Sequence, residues 1–457
     1  MARWVRLVVS LGVLVGLVGL ALPAQEAVAK APSGEQADPE PLSLEDTVDL
    51  SVEDIQTFWK KQFPATFKGR RYEPIPASQI FPYDTTTGFP GCGDATPRAY
   101  VKNARYCPLD DTVAYDIEGL FPEQYNDFGN FAVAMILAHE WGHAIQERAY
   151  GLERAQAAGI PSIVLETQAD CFAGTWARRV NDKKSKTLLP EPGDLDAALA
   201  GLLSVADQVG QEASAQGAHG SAFDRISAFQ TGFDGGTKRC AEFVDNPPDY
   251  YEVPFTDVED LATGGNLPVD TLTPLLTKDL DEYWATELTG YKPVSAVIPY
   301  DVGILSESRL PTCGNERPDP KNFEDSIFYC TEGDFVAWDN QLLSEAADNY
   351  GDFAVATLIA TSWSDAVHAR VKSKTKGTAR TLEADCLTGS WVGSLVNQTR
   401  EPELSLSPGD LDEAMQALLK YERSLDKKLS AFDRAGSFRK GFEDGADACV
   451  KTGKSAG

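Results

Sequence analysis

The sequence predicts a mainly helical α+β fold written twice along one chain, and three observations lead there. First, "FAVAMILAHEWGHAIQERA" (Phe131–Ala149) and "FAVATLIATSWSDAVHARV" (Phe353–Val371) share one apolar, helix-length frame. Second, "ARYCPLDDTVAYD" alternates apolar and polar residues around a Pro-Leu-Asp-Asp turn, the pattern of a small hairpin. Third, further blocks recur in the same order. "IFPYD" (from Ile80) returns as "VIPYD" (from Val297), "ADCFAGTW" (from Ala169) as "ADCLTGSW" (from Ala384), "PGDLDAALAGLL" as "PGDLDEAMQALL", and "SAFDRISAFQTGFDGG" as "SAFDRAGSFRKGFEDG". Each copy has the size of an ordinary domain, so the pattern is a tandem duplication and not a solenoid.

In chain order, residues 1–29 carry a basic start, an apolar run and an A-x-A site ending at Ala29, the layout of a secretory signal peptide or N-terminal anchor. Residues 30–50 are acidic and Pro-containing and read as a tether. The first repeat is expected over 51–245, a linker over 246–272 whose aromatic residues dock on a neighbour, and the second repeat over 273–452. Within the first repeat, a long helix is expected from Gly129 to about Tyr150, stopping near Gly151. Pro161 opens a second helix, "PSIVLETQADCFAGTWARRV", and "PGDLDAALAGLL" starts a third with Asp194 as its cap.

The eight cysteines follow the repeat: Cys92, Cys107, Cys171 and Cys240 match Cys313, Cys330, Cys386 and Cys449. No C-x-x-C occurs, so disulfides in an oxidising compartment are expected in place of a cysteine zinc site. The expected pairs are Cys92–Cys107, Cys171–Cys240, Cys313–Cys330 and Cys386–Cys449. With 41 Lys and Arg against 69 Asp and Glu, the formal charge of −28 excludes nucleic acid or an anionic membrane surface as the main partner. The protein is expected to be secreted or extracytoplasmic, tethered to a membrane by its N-terminal segment at most.

Chemistry concentrates in "HEWGH". On a helix, His139 and His143 lie one turn apart on one face, so two imidazoles can reach one metal at about 2.0–2.1 Å, as zinc requires. Glu140 stands beside them as a general base for a zinc-bound water. A catalytic zinc takes three protein ligands and an open position. The next helix offers Glu166 as the third, with Asp170 one turn on to accept the other ring N–H of a ligating histidine. His219 is a further candidate, for stabilising an oxyanion or protonating a leaving amine.

In the second copy Thr361, Ser362, Asp365 and Thr381 stand where the first has His139, Glu140, His143 and Glu166, while Asp385 keeps the place of Asp170. Lys428 replaces His219, and His368, at the place of Gln146, reads as a surface residue. The duplicated scaffold is therefore expected to fold without metal in its second copy, which braces the first or recruits a partner.

"YCPLDDTVAYD", "AHEWGHAIQ", "LETQADCFAGTW" and "HGSAFDR", in that order, make the first copy resemble the bacterial neutral zinc metallopeptidases of glutamate-zincin type, over most of Ser51 to Val244. The resemblance implies Zn2+ as cofactor, His139, His143 and Glu166 as ligands, Glu140 as base and Asp170 behind the ligands. It also implies a zincin-like domain in 51–245, with a sheet edge beside the active helix that holds an extended peptide or protein substrate. The second copy departs at every metal position, so the resemblance carries no activity to it. A non-catalytic extracellular binding or scaffold protein with a structural zinc is the alternative, and closure of the site by a fourth side chain distinguishes it.

Overall fold

The computed structural model describes residues 42–450 except 89–90, 94–100, 208, 211–218, 252, 254, 256, 304–308, 316–325, 398–399 and 422–428. The expected leader and most of the expected tether lie outside the described residues, as does Lys428.

Helix α1 (Leu44–Thr66) begins where the Ser43 side chain accepts the Asp46 N–H. It takes in the last part of the stretch expected as tether, because Thr47, Val48 and Ser51 are buried on its inner face. Three short strands follow: β1 (Ile80–Tyr83), β2 (Ala104–Cys107) and β3 (Thr112–Asp116). β2 and β3 form the expected antiparallel hairpin, and β1 adds itself in parallel to β3, giving the order β1-β3-β2. Sequence reading left β1 unassigned. Its Pro82 fits only an edge strand, which is the position β1 occupies.

The rest of this half is helical: α2 (Leu120–Phe128), α3 (Asn130–Ala149), α4 (Leu152–Ala157), α5 (Ser162–Asn181), α6 (Asp194–Ser204) and α7 (Ala222–Ala241). Helix α3 is buried on nearly all sides, which matches its apolar "FAVAMILA" start. Asp194 does not cap α6. Gly193 holds that place at φ 94°, and Asp194 instead accepts the Glu191 N–H at 2.7 Å, closing the turn before the helix. Helices α5 and α7 pack backbone to backbone, Gly174 against the Phe229 carbonyl and Gly232 against the Cys171 carbonyl. The Cys171–Cys240 disulfide ties the same two helices, and all four expected pairs form.

The same order of elements, without a counterpart of α4 among the described residues, recurs beyond α8 (Val258–Thr263). It runs α9 (Val269–Glu287), β4 (Ala296–Tyr300), β5 (Ile327–Cys330), β6 (Phe335–Asp339), α10 (Asn340–Tyr350), α11 (Asp352–Val371), α12 (Thr378–Val396), α13 (Asp410–Lys420) and α14 (Ala431–Asp444). The sheet order β4-β6-β5 matches that of the first half. So do details of packing. Trp176 stacks on Phe131 and donates to Asp54, which pairs with Arg179. Trp391 stacks on Phe353 and donates to Asp279, which pairs with Arg400.

The halves exchange helix caps. Asp412 of α13 accepts the Phe223 N–H at the start of α7 (2.9 Å), and Asp196 of α6 accepts the Phe432 N–H at the start of α14 (2.8 Å). Each satisfies a backbone donor that a helix start leaves without a partner. Phe432 packs on Phe229 and Phe233, while Phe223 packs on Phe442. The aromatic residues of the expected linker do dock: Tyr251 on Phe223 and Phe442, and Tyr250 through its hydroxyl on Thr167.

His368 is not a surface residue. Its side chain is fully buried, with Nε2 3.3 Å from Glu383 and Nδ1 3.6 Å from Asp365. Helix α11 is buried on all faces, so the polar position offered no exposed side. Among the described residues no helix is long and apolar enough to cross a membrane.

Candidate metal centre

Helix α3 carries His139 and His143 one turn apart, and α5 folds back to bring Glu166 onto them. His139 Nε2 and His143 Nε2 are 3.2 Å apart, and Glu166 Oε2 lies 3.3 Å from the first and 3.4 Å from the second. Three ligands at about 2.0–2.1 Å from a tetrahedral zinc stand about 3.3 Å from one another. The triangle therefore has the dimensions of one face of such a site.

Its protonation pattern fits as well. Asp170, fully buried, lies 2.7 Å from His139 Nδ1 and is itself held by Arg225 through bonds of 2.8 and 2.9 Å. Gln146 donates its amide to the Leu165 carbonyl at 2.6 Å, which turns its oxygen toward His143 Nδ1, 2.9 Å away. Each ring thus gives its Nδ1 proton to an outer acceptor, so that in its neutral form the Nε2 lone pair faces inward. Three lone pairs then face one another inside a triangle of about 3.3 Å sides, an arrangement that a cation resolves.

Without an ion the site attracts protons. Burial works against a charge on His139, but Asp170 and then Glu166 overcome it and raise the ring to about 10. His143 is raised in the same way, burial being outweighed by Glu166. Burial opposes a charge on Glu166 too, yet the two imidazoles hold it well below the usual carboxylate range. The pocket is built to hold positive charge.

Glu140 stands next to the triangle, outside it. Its Oε2 accepts the backbone N–H of Tyr106 at 2.7 Å, so strand β2 presents an edge amide to helix α3. Arg148 fastens that strand further, through the Tyr106 hydroxyl and Asp111. His219 is brought less close. It sits in the turn before α7, half exposed, its ring 3.1 Å from Asp207, which also accepts the His219 and Gly220 N–H groups. None of its bonds is to the triangle.

Gly142 completes the centre. A Cβ there would lie 2.6 Å from Ala169 Cα and 2.9 Å from its carbonyl oxygen, so α3 and α5 cross in contact only because position 142 has no side chain. In the second half Ser364 takes this place, its hydroxyl 3.2 Å from the Ala384 carbonyl. Gly142→Ala is expected to push α5 outward, weaken zinc binding about tenfold or more and cost about 1–3 kcal/mol of stability. A competitive zinc titration and denaturant unfolding check both numbers.

At the equivalent place in the second half, Thr361 bonds to the Thr357 carbonyl and Asp365 pairs with Arg380. Among the described residues no three His, Cys, Asp or Glu side chains converge there. His368 and Glu383 occupy the places of Gln146 and Gln168, whose amides are bonded at 3.1 Å in the first half.

The sequence names the three residues that converge here, together with Glu140 and Asp170, but not Gln146, Arg225 or the Tyr106 amide. The Gln146 signal lay in plain view, one turn beyond His143. Arg225 is separated from Asp170 by 55 residues, and only the crossing of α5 and α7 joins them.

A family model described as "Putative neutral zinc metallopeptidase" matches residues 6–243. The chain is similar to "Uncharacterized protein YpfJ" of Escherichia coli K12, 33% identical over 167 residues, which cover 32% of this chain and 54% of that protein. It is also similar to "Uncharacterized protein Mb2605" of Mycobacterium bovis and "Uncharacterized protein Rv2575" of Mycobacterium tuberculosis H37Rv. Each is 31% identical over 203 residues, covering 40% of this chain and 64% of the relative. The chain thus spans less than two thirds of the length of each of these relatives. No solved structure matches it.

Proposed function

Since the chain belongs to the neutral zinc metallopeptidase family, we propose that it is an extracytoplasmic zinc peptidase working through one site, in its first half. The observation that carries this reading is the triangle of His139, His143 and Glu166, with three donors and not four converging among the described residues. Three donors leave a coordination position for chemistry, whereas a structural zinc is closed by a fourth.

What zinc supplies in such a site is Lewis acidity toward a peptide carbonyl and toward the attacking water. The chain's own residues do the rest. Glu140 takes a proton as the water oxygen attacks the carbonyl carbon, and returns it to the amine as the carbon–nitrogen bond breaks. Asp170 and Gln146 hold the two rings in the tautomer that faces inward. Strand β2 lies at the edge of its sheet beside Glu140, a place where an extended peptide can add a strand. His219, oriented by Asp207, is the candidate for the oxyanion or the leaving amine, a role that would need substrate to draw it in.

The second half is proposed to be a degenerate copy of the zincin-like domain, retained as a brace. The exchanged caps support this: Asp412 fixes the start of α7, the helix that carries Arg225 to Asp170. The four disulfides fit an oxidising compartment.

Metal analysis of the purified chain, run beside a cleavage screen on a proteome-derived peptide library, tests the reading. One zinc per chain with hydrolysis abolished by chelation and restored by zinc is expected. A zinc-loaded protein that cleaves no peptide in the library overturns it.

A further inference from the structure

The second half lacks the zinc ligands, but it holds a different cluster that the peptidase reading does not use. Asp352 is the first residue of α11, Asp410 the first of α13, and Glu413 lies one turn into α13. One carboxylate oxygen from each lies within 4.8 Å of the others. All three side chains are buried, at 5%, 4% and 8% exposure.

Each carboxylate spends one oxygen on a backbone amide at 2.8 Å: Asp352 Oδ2 accepts from Leu267, Asp410 Oδ2 from Ser407 and Glu413 Oε2 from Phe353. The other oxygens of the two aspartates, Asp352 Oδ1 and Asp410 Oδ1, are buried with no donor at all. A buried carboxylate oxygen left without a donor is costly, more so than a neutral group in the same position. Among the described residues no Lys, Arg or His pairs with any of the three.

The junction itself does not demand this charge. In the first half the same two helix starts carry Asn130, Asp194 and Ala197, and Asp194 keeps its amide bond to the preceding turn. Two extra carboxylates therefore appear only where the zinc ligands have gone. Burial foremost holds all three carboxyls above the ordinary range, and neighbouring carboxylates add to it: Asp260 beside Asp352, Asp352 and Glu413 beside Asp410, and Asp352 and Asp412 beside Glu413.

We propose that Asp352, Asp410 and Glu413 form a second cation site, one that takes a hard divalent ion of calcium type. The donors are all oxygens, which excludes a preference for zinc or copper. The site is buried and carries three carboxylates, which suits calcium, since magnesium dehydrates reluctantly and keeps several waters. Bound there, the ion ties the start of α11 to the start of α13.

Calorimetric titration of calcium chloride into the zinc-saturated full chain tests this, with the thermal midpoint recorded in parallel. One calcium per chain and a raised midpoint are expected, with magnesium binding at least tenfold more weakly. D352N/E413A, which installs the residues that the first half carries at these places, should lose at least about a hundredfold in calcium affinity. The isosteric E413Q should lose about tenfold or more, and circular dichroism verifies that both variants are folded. H143A, aimed at the zinc triangle, should bind calcium as the parent does. No calcium heat up to millimolar concentration overturns the proposal. So does undiminished binding in folded D352N/E413A, or loss of binding in H143A, which would place the ion in the zinc site.

Discussion

Replacing Glu140 with glutamine is expected to lower peptide hydrolysis by about 10²–10⁴-fold while zinc stays bound. The two halves of that expectation rest on different contacts. Zinc retention follows because Glu140 takes no part in the triangle of His139, His143 and Glu166. Structural retention follows because Glu140 is buried and bonded through Oε2 to the Tyr106 N–H, and a glutamine carbonyl oxygen can accept the same bond. What glutamine cannot do is take a proton from water. Glu140→Ala is a poorer probe, since it leaves the Tyr106 amide without its acceptor, at about 1–3 kcal/mol. Catalytic efficiency on a cleaved peptide, measured beside zinc content, decides the matter. A glutamine variant that keeps its zinc and cleaves at the parental rate removes Glu140 as the base.

The parts of this site that were legible in the sequence are those that depend on helical spacing alone. His139 and His143 share a face because they are four residues apart, and so do Glu166 and Asp170; neither inference needs to know where the helices go. The hairpin of β2 and β3 was legible for the same local reason. Contacts set by the crossing of helices were not. Arg225 reaches Asp170 only because Gly174 and Gly232 let α5 and α7 meet backbone to backbone. The Tyr106 amide that holds Glu140 is a main-chain group, to which the residue type gives no clue. Helix α1 was hidden by its acidic, Pro-flanked start, and β1 by a proline that an edge position tolerates. His368 misled for the opposite reason, because a helix buried all round has no polar face for a polar residue to mark.

Asp170→Asn is expected to cost about 3–5 kcal/mol of stability and to weaken zinc binding about 10–100-fold. The first effect comes from Arg225. Its guanidinium is buried and bonded twice to Asp170, and a neutral amide removes the carboxylate bonded to that charge. The second comes from His139, whose Nδ1 is held 2.7 Å from the same carboxylate. An asparagine can offer its NH2 there, which selects the wrong tautomer and moves the ring proton to the nitrogen that should face the metal. The second half supplies the control. Asp385 is equally buried and grips Arg434 with bonds of 2.9 and 3.0 Å, but Thr361 stands where the histidine would be. Asp385→Asn should therefore destabilise the chain by a similar amount and leave zinc affinity at its parental value. Denaturant unfolding together with competition against a chromophoric chelator gives both quantities for each variant. Equal loss of zinc affinity in the two would mean that loosening the fold anywhere releases the metal, and parental affinity in Asp170→Asn would mean that His139 needs no partner. The predicted asymmetry, equal cost in stability but unequal cost in zinc, arises only if one buried ion pair has been kept in both halves and put to use in one.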